Sequence, residues 1–133
     1  MYAYVFDEFS QQKKYEKAIL QINKRLTDLG LNGKTIKPGV SKNLKSSIED
    51  EIRRGAKTIV AVGNDKTTIK TLNSITSSQS DEKHRLCLGI IPLEAKESRL
   101  AELLGITGIN NACEILLARR LKVFNTAAIG QNF

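Results

Sequence analysis

The stretch Thr58-Ile-Val-Ala-Val-Gly63-Asn-Asp-Lys-Thr-Thr68-Ile-Lys-Thr-Leu-Asn73 decides the fold. An apolar run, Ile59 to Val62, ends at Gly63. A polar turn, Gly63 to Lys66, follows, and the spacing predicts a helix from Thr67 or Thr68 that buries Ile69, Leu72 and Ile75 or Thr76. Strand, turn and helix in this order aim backbone N–H groups and the positive helix end at an anion, most often a phosphate. With only one glycine in the turn, a plain strand-to-helix connection capped by threonine is the other reading.

On both sides of this stretch the pattern alternates between strand and helix. Tyr2 to Phe6 is β-prone. Ser10 to Leu29 places Tyr15, Ala18, Ile19, Ile22, Leu26 and Leu29 on one helical face, and Gly30 ends it. Lys34 to Lys37 reads as a short strand before Pro38-Gly39. Ser41 is the expected N-cap of a helix carrying Leu44, Ile48 and Ile52, closed by Gly55. Lys57 to Val62 and Leu86 to Ile91 are continuous apolar runs of the kind buried on both faces of a parallel sheet. Pro92 stops the second run, and a helix with Leu100, Leu103 and Leu104 runs to Gly105. Thr107 is the expected cap of a last helix with Ile109, Ala112, Cys113, Leu116 and Leu117 on its apolar side. Repeated strand–helix–strand units predict an α/β fold: a three-layer αβα open sheet, mostly parallel, joined by right-handed crossovers. Ligands in such sheets bind beyond the carboxyl ends of the strands, where the Gly63 and Pro92 turns both lie.

The chain has 133 residues, enough for one domain with a real core. No apolar run is long enough to span a bilayer, and the N-terminus lacks the basic region of a signal peptide, so a cytoplasmic protein is expected. Cys87 and Cys113 form no ligand pattern and read as small core residues. His84 sits in the polar run Asp81 to Arg85, next to a loop expected from Ser77 to Lys83, and reads as a solvated histidine; no structural metal is expected. The net charge is +7, spread along the chain, with Arg53-Arg54 and Arg119-Arg120 at predicted helix C-termini, where they complement the dipole. A basic surface also suits nucleotides or anionic lipid. Aromatic content of 5%, not interleaved with basic residues, argues against a nucleic-acid platform.

Three segments resemble the catalytic domain of diacylglycerol kinases and related lipid kinases, the sphingosine kinases included. Ile59-Val-Ala-Val-Gly-Asn-Asp-Lys-Thr67 resembles an apolar strand followed by Gly-Gly-Asp-Gly-Thr. Leu88-Gly-Ile-Ile-Pro-Leu93, with Leu103-Leu-Gly-Ile106, resembles the strand, Gly-Thr-x-Asn-Asp loop and helix of the same family. Leu121 to Phe133 resembles the crossing into a β-rich second domain. The resemblance implies a first domain of the lipid-kinase/NAD-kinase type over residues 1–120, with residues 121–133 starting a second domain or lying at the sheet edge. It implies ATP, with magnesium, as phosphoryl donor to a lipid hydroxyl. By position, Gly63, Asp65 and Thr67 match the phosphate turn and Gly89, Pro92 and Leu93 the frame of the second motif; Gly63, Asn64, Lys66, Thr67, Pro92 and Glu94 would then border the nucleotide. Asp65 would act on the phosphoryl group, its metal or the acceptor hydroxyl; first-turn helix capping is the equal alternative.

The chain departs from the family pattern at each nucleotide-facing segment. Asn64 and Lys66 replace glycines, and a lysine held in left-handed backbone geometry would cost roughly 1–2 kcal/mol. Glu94-Ala-Lys-Glu97-Ser replaces Gly-Thr-x-Asn-Asp, and its carboxylates would repel a triphosphate or else serve as favourable charges in a first helical turn. Asp7-Glu-Phe-Ser-Gln11 stands where the family has Asn-Pro-x-Ser-Gly. These departures support a second reading, a non-catalytic module that binds a protein partner or an anionic membrane surface.

Overall fold

A computed structural model describes residues 2–6, 13–37, 43–76, 86–94 and 98–118. The elements are β1 (Tyr2–Phe6), a 3-10 turn (Lys13–Tyr15), α1 (Glu16–Asp28), β2 (Lys34–Ile36), α2 (Leu44–Arg53), β3 (Thr58–Gly63), α3 (Asp65–Thr76), β4 (Cys87–Pro92), α4 (Arg99–Leu103) and α5 (Ile109–Ala118). The four strands form one sheet in the order β2-β1-β3-β4, and every pairing is parallel. The predicted α/β architecture is therefore present. Successive strands β1 and β2 are neighbours, but the chain then returns to the other side of β1 for β3. The strand order thus reverses between β1 and β3.

Residues of period two on β1 and β3 feed two separate cores. Tyr4, Phe6, Val60 and Val62 pack under α1, α4 and α5, with Ile22, Leu26, Leu100 and Cys113. Ala3, Val5 and Ile59 pack with Ile48 and Ile52 of α2 and Ile75 of α3. Cys113 is buried, and Cys87 is half-buried at the start of β4.

Several predicted details are corrected. α2 begins at Leu44 because Asn43, not Ser41, caps it: the Asn43 side chain accepts from the Ser46 amide at 2.8 Å. α3 begins at Asp65, not Thr67, and its sheet-facing residues are Thr67, Thr68, Thr71 and Ile75, while Ile69 and Leu72 are half-buried. Threonine tolerates this burial because its hydroxyl bonds one turn back, as Thr71 does to the Thr67 carbonyl at 2.8 Å. α4 is short and buries Leu100 and Ala101, leaving Leu103 exposed. α5 starts after Gly108, and Leu117 faces outward. Ser41, Pro38-Gly39, His84, the 77–83 loop, Glu97, Arg119, Arg120 and the 121–133 segment lie outside the described residues.

Two glycines permit close approach. A Cβ on Gly33 would stand 2.1 Å from the Tyr2 carbonyl oxygen, whereas one on Gly89 would meet the Leu116 Cδ2 methyl at 2.7 Å. Gly33→Ala should cost about 1–3 kcal/mol, as overpacking against rigid backbone does, and Gly89→Ala less, because Leu116 can yield. Urea denaturation of the two variants checks the order.

Tyr4, buried under α1, donates from its hydroxyl to the Leu31 carbonyl at 2.5 Å. Burial above all, then the neighbouring Tyr2 and Cys113, pushes its pKa well above the ordinary 10.0. A raised folded-state pKa means that the unfolded chain releases the proton first. The contribution of the neutral phenol is complete below pH 10 and is lost as the pH rises past that value. Tyr4→Phe should be less stable at neutral pH but lose less stability than the unaltered chain above pH 10, read from urea midpoints against pH.

Candidate functional site

β3 and β4 end together. Gly63 is in register with Pro92, and the Leu93 amide donates to the Gly63 carbonyl at 3.2 Å. Both turns therefore open at one edge of the sheet, and β1 runs alongside, with Phe6 in register with Val62. The Gly63 turn lies at the reversal of strand order, where open α/β sheets form their binding crevice.

The turn itself is shorter than the sequence indicates. Asn64 caps α3: its side-chain oxygen accepts from the Thr67 amide at 3.1 Å, and its carbonyl accepts from the Thr68 amide at 3.1 Å. The Thr68 hydroxyl also donates to that carbonyl, at 3.2 Å. Lys66 lies in the first turn of α3 and is exposed, so the expected cost of left-handed geometry does not arise. Thr67 is buried, as are Gly63 and Pro92.

Asp65 reaches across to the next loop. Its Oδ1 accepts from the Ser98 hydroxyl at 2.7 Å and the Leu100 amide at 3.3 Å, and its Oδ2 accepts from the Arg99 amide at 2.9 Å. Ser98, itself buried, accepts from the Ala101 amide at 3.0 Å. Asp65 and Ser98 together occupy the donors at the start of α4, and Asp65 also sits in the first turn of α3, where a negative charge is favourable. The capping role expected of Asp65 is present, with a second helix as its principal partner.

Glu94 lies five residues ahead of α4 and does not serve as a first-turn charge there. Its Oε1 accepts from the Tyr15 hydroxyl at 2.8 Å and stands 3.9 Å from the Lys14 ammonium, which itself lies over the Tyr15 ring. This hydrogen bond is the main reason that the Tyr15 pKa is raised. The Pro92–Ser98 connection is thus held at one end by Glu94 to the start of α1 and at the other by Asp65 to the start of α3.

Sequence reasoning missed Tyr15, Lys14 and Ser98. Ser98 carried a readable signal, a serine directly before a helix; the other two gave none, because their partner is distant in the chain. Among the described residues no group of three His, Cys, Asp or Glu side chains could hold a metal ion. The Asp65 Oδ1 already accepts two hydrogen bonds and Oδ2 one. No described helix is long and apolar enough to cross a membrane.

Replacing Asp65 separates its structural part from any other. Asp65→Ala should lower stability by about 1–3 kcal/mol, since it leaves the Ser98, Arg99 and Leu100 donors without their acceptor. Asp65→Asn, which keeps an acceptor oxygen, should recover part of that loss in thermal or urea unfolding.

No family model matches the sequence, and no curated protein matches it. Among solved structures the chain is similar to one described as "A putative diacylglycerol kinase from Bacillus anthracis str. Sterne", with a TM-score of 0.66 at 15% identity. The match covers 91% of this chain and 42% of that one, so this chain spans about two fifths of its length. At that identity the likeness is one of fold, and the fold of this chain is lipid-kinase-like.

Proposed function

We propose that this chain is the nucleotide-binding part of a lipid-kinase-like protein, whose reaction class is ATP-dependent phosphorylation of a lipid hydroxyl. The observation that carries the reading is the position of the Gly63–Asn64 turn. It joins a central parallel strand to the N-terminus of α3 at the reversal of strand order, beside the Pro92 turn. That is where a phosphate chain would meet backbone N–H groups and a positive helix end. Gly63, Asn64 and Thr67 would border the phosphates from one loop and Pro92 from the other. Lys66, exposed on the first turn of α3, would supply a cation without having to be buried. Magnesium would arrive with the nucleotide, as it commonly does, and no protein-held step is assigned to it.

One observation favours a second reading, a non-catalytic module. The carboxylate of Asp65 is engaged with Ser98, Arg99 and Leu100, and the Asn64 side chain is engaged with the Thr67 amide. Groups used in this way hold the turns together, and reaction chemistry would have to compete with that role.

Calorimetric titration with Mg-ATP tests the first reading: saturable heat in the micromolar range is expected, and its absence would leave the non-catalytic module. Asn64→Gly sharpens the test. Glycine at an N-cap costs the helix only a few tenths of a kcal/mol and frees the Thr67 amide. Nucleotide affinity should therefore rise in that variant, and an unchanged or weaker affinity would count against a phosphate site at this turn.

A further inference from the structure

α1 buries Ile22 and Leu26. On its outer side Lys17, Leu20 and Lys24 recur at three- and four-residue intervals, which puts them in one stripe about 11 Å long, and Lys13 stands in the 3-10 turn that leads into the helix. All four are exposed. Leu20, at 64% relative exposure, is the most exposed large hydrophobic residue described. Other cations nearby are already in use: Arg25 pairs with Glu114 at 3.3 Å, and Lys14 with Glu94. Lys13, Lys17 and Lys24 make no ion pair among the described residues. Glu16 and Asp28 border the stripe and reduce its charge without reversing it. Leu103 and Leu117, the remaining exposed large hydrophobics, lie on α4 and α5 in the same helix layer. Among the described residues the α2 and α3 layer has none.

We infer that the outer face of α1 docks on an anionic phospholipid surface, with the three lysines at headgroup phosphates and Leu20 at the acyl boundary. Lysine suits this position because its apolar stem lies along the interface while the ammonium stays in the headgroup layer. Polar and basic residues around a protruding apolar one match an interfacial helix. The alternatives fit less well. A stable protein partner calls for a desolvated patch with aromatic anchors, which this stripe lacks. A nucleic-acid backbone gives the central leucine nothing to contact. The inference rests on the surface of α1 and is independent of the nucleotide reading.

Vesicle co-sedimentation of the full chain tests it. Vesicles of phosphatidylserine and phosphatidylcholine in equal parts should retain the protein at low salt and release it as salt rises, while phosphatidylcholine alone should not bind it. Lys17→Glu with Lys24→Glu should lower the partition coefficient about tenfold or more. Lys45→Glu with Lys70→Glu makes the same change of net charge on the opposite layer and should lower it much less. Leu20→Ser, at constant charge, should lower it several-fold. Circular dichroism confirms that each variant is folded. Equal losses from the two charge-reversed pairs would overturn the inference, since total charge would then explain binding. So would failure to bind the mixed vesicles, or lysine-dependent binding to duplex DNA in their place.

Discussion

Everything in this molecule is arranged around the burial of β3 on both faces. Ile59, Val60, Ala61 and Val62 are each 0% exposed. A strand without a solvent face cannot accept a polar residue in its middle, and its backbone groups must all find partners in β1 and β4. Both requirements are met by parallel pairing, which needs a helix on each crossover. The helices in turn supply the two cores, and the strand must deliver its polar residues at its end. The Gly63 turn lies at the sheet edge because that is the first place where the chain can be polar again.

At that edge three loops converge, and two carboxylates tie them. Asp65 links the start of α3 to the start of α4, and Glu94 links the same connection to Tyr15 ahead of α1. Each carboxylate meets donors that would otherwise need water. Such ties fix the relative positions of the loops more firmly than apolar contact alone, because hydrogen bonds are directional. The first tie also engages the carboxylate that the proposed phosphoryl transfer would employ.

The architecture was legible because its signals are local. Apolar runs at Ile59 to Val62 and Leu86 to Ile91, each ended by glycine or proline, announce parallel strands, the first buried throughout and the second only half-buried from Leu86 to Gly89. The four-residue spacing of Leu44, Ile48 and Ile52 announces a helix. Legibility failed where the deciding bond is between distant residues. Ser98 is 33 positions from Asp65, and Glu94 is 79 from Tyr15, and no periodicity registers such pairs. It failed also where polar residues do apolar work. A helix start sought by hydrophobic spacing falls at Thr67, while the cap at Asn64 sets it at Asp65. Thr68 and Thr71 are buried because their hydroxyls are satisfied within the helix. The outward turn of Leu103 and Leu117 has the same character: helical position predicts a face, and only the packing partner decides whether it is covered.

Asn64 and Lys66 stand where the resembling lipid-kinase pattern has glycines, and both serve the local structure here. Glycine in such a turn leaves its amides open to a ligand, at an entropic cost to the free protein. Asparagine at the same position turns one of those amides inward and stabilises the helix that follows. Lysine two residues on is a sound helix former and stands in the first turn at no conformational cost. The two residues therefore act in one direction, favouring rigidity of the free fold over openness to an anion. Glu94, which would oppose a triphosphate, instead meets the Tyr15 hydroxyl and the Lys14 ammonium. The turns are coherent as structure at every described residue, so their side chains can be explained without a bound nucleotide. Their place in the sheet remains the argument for one.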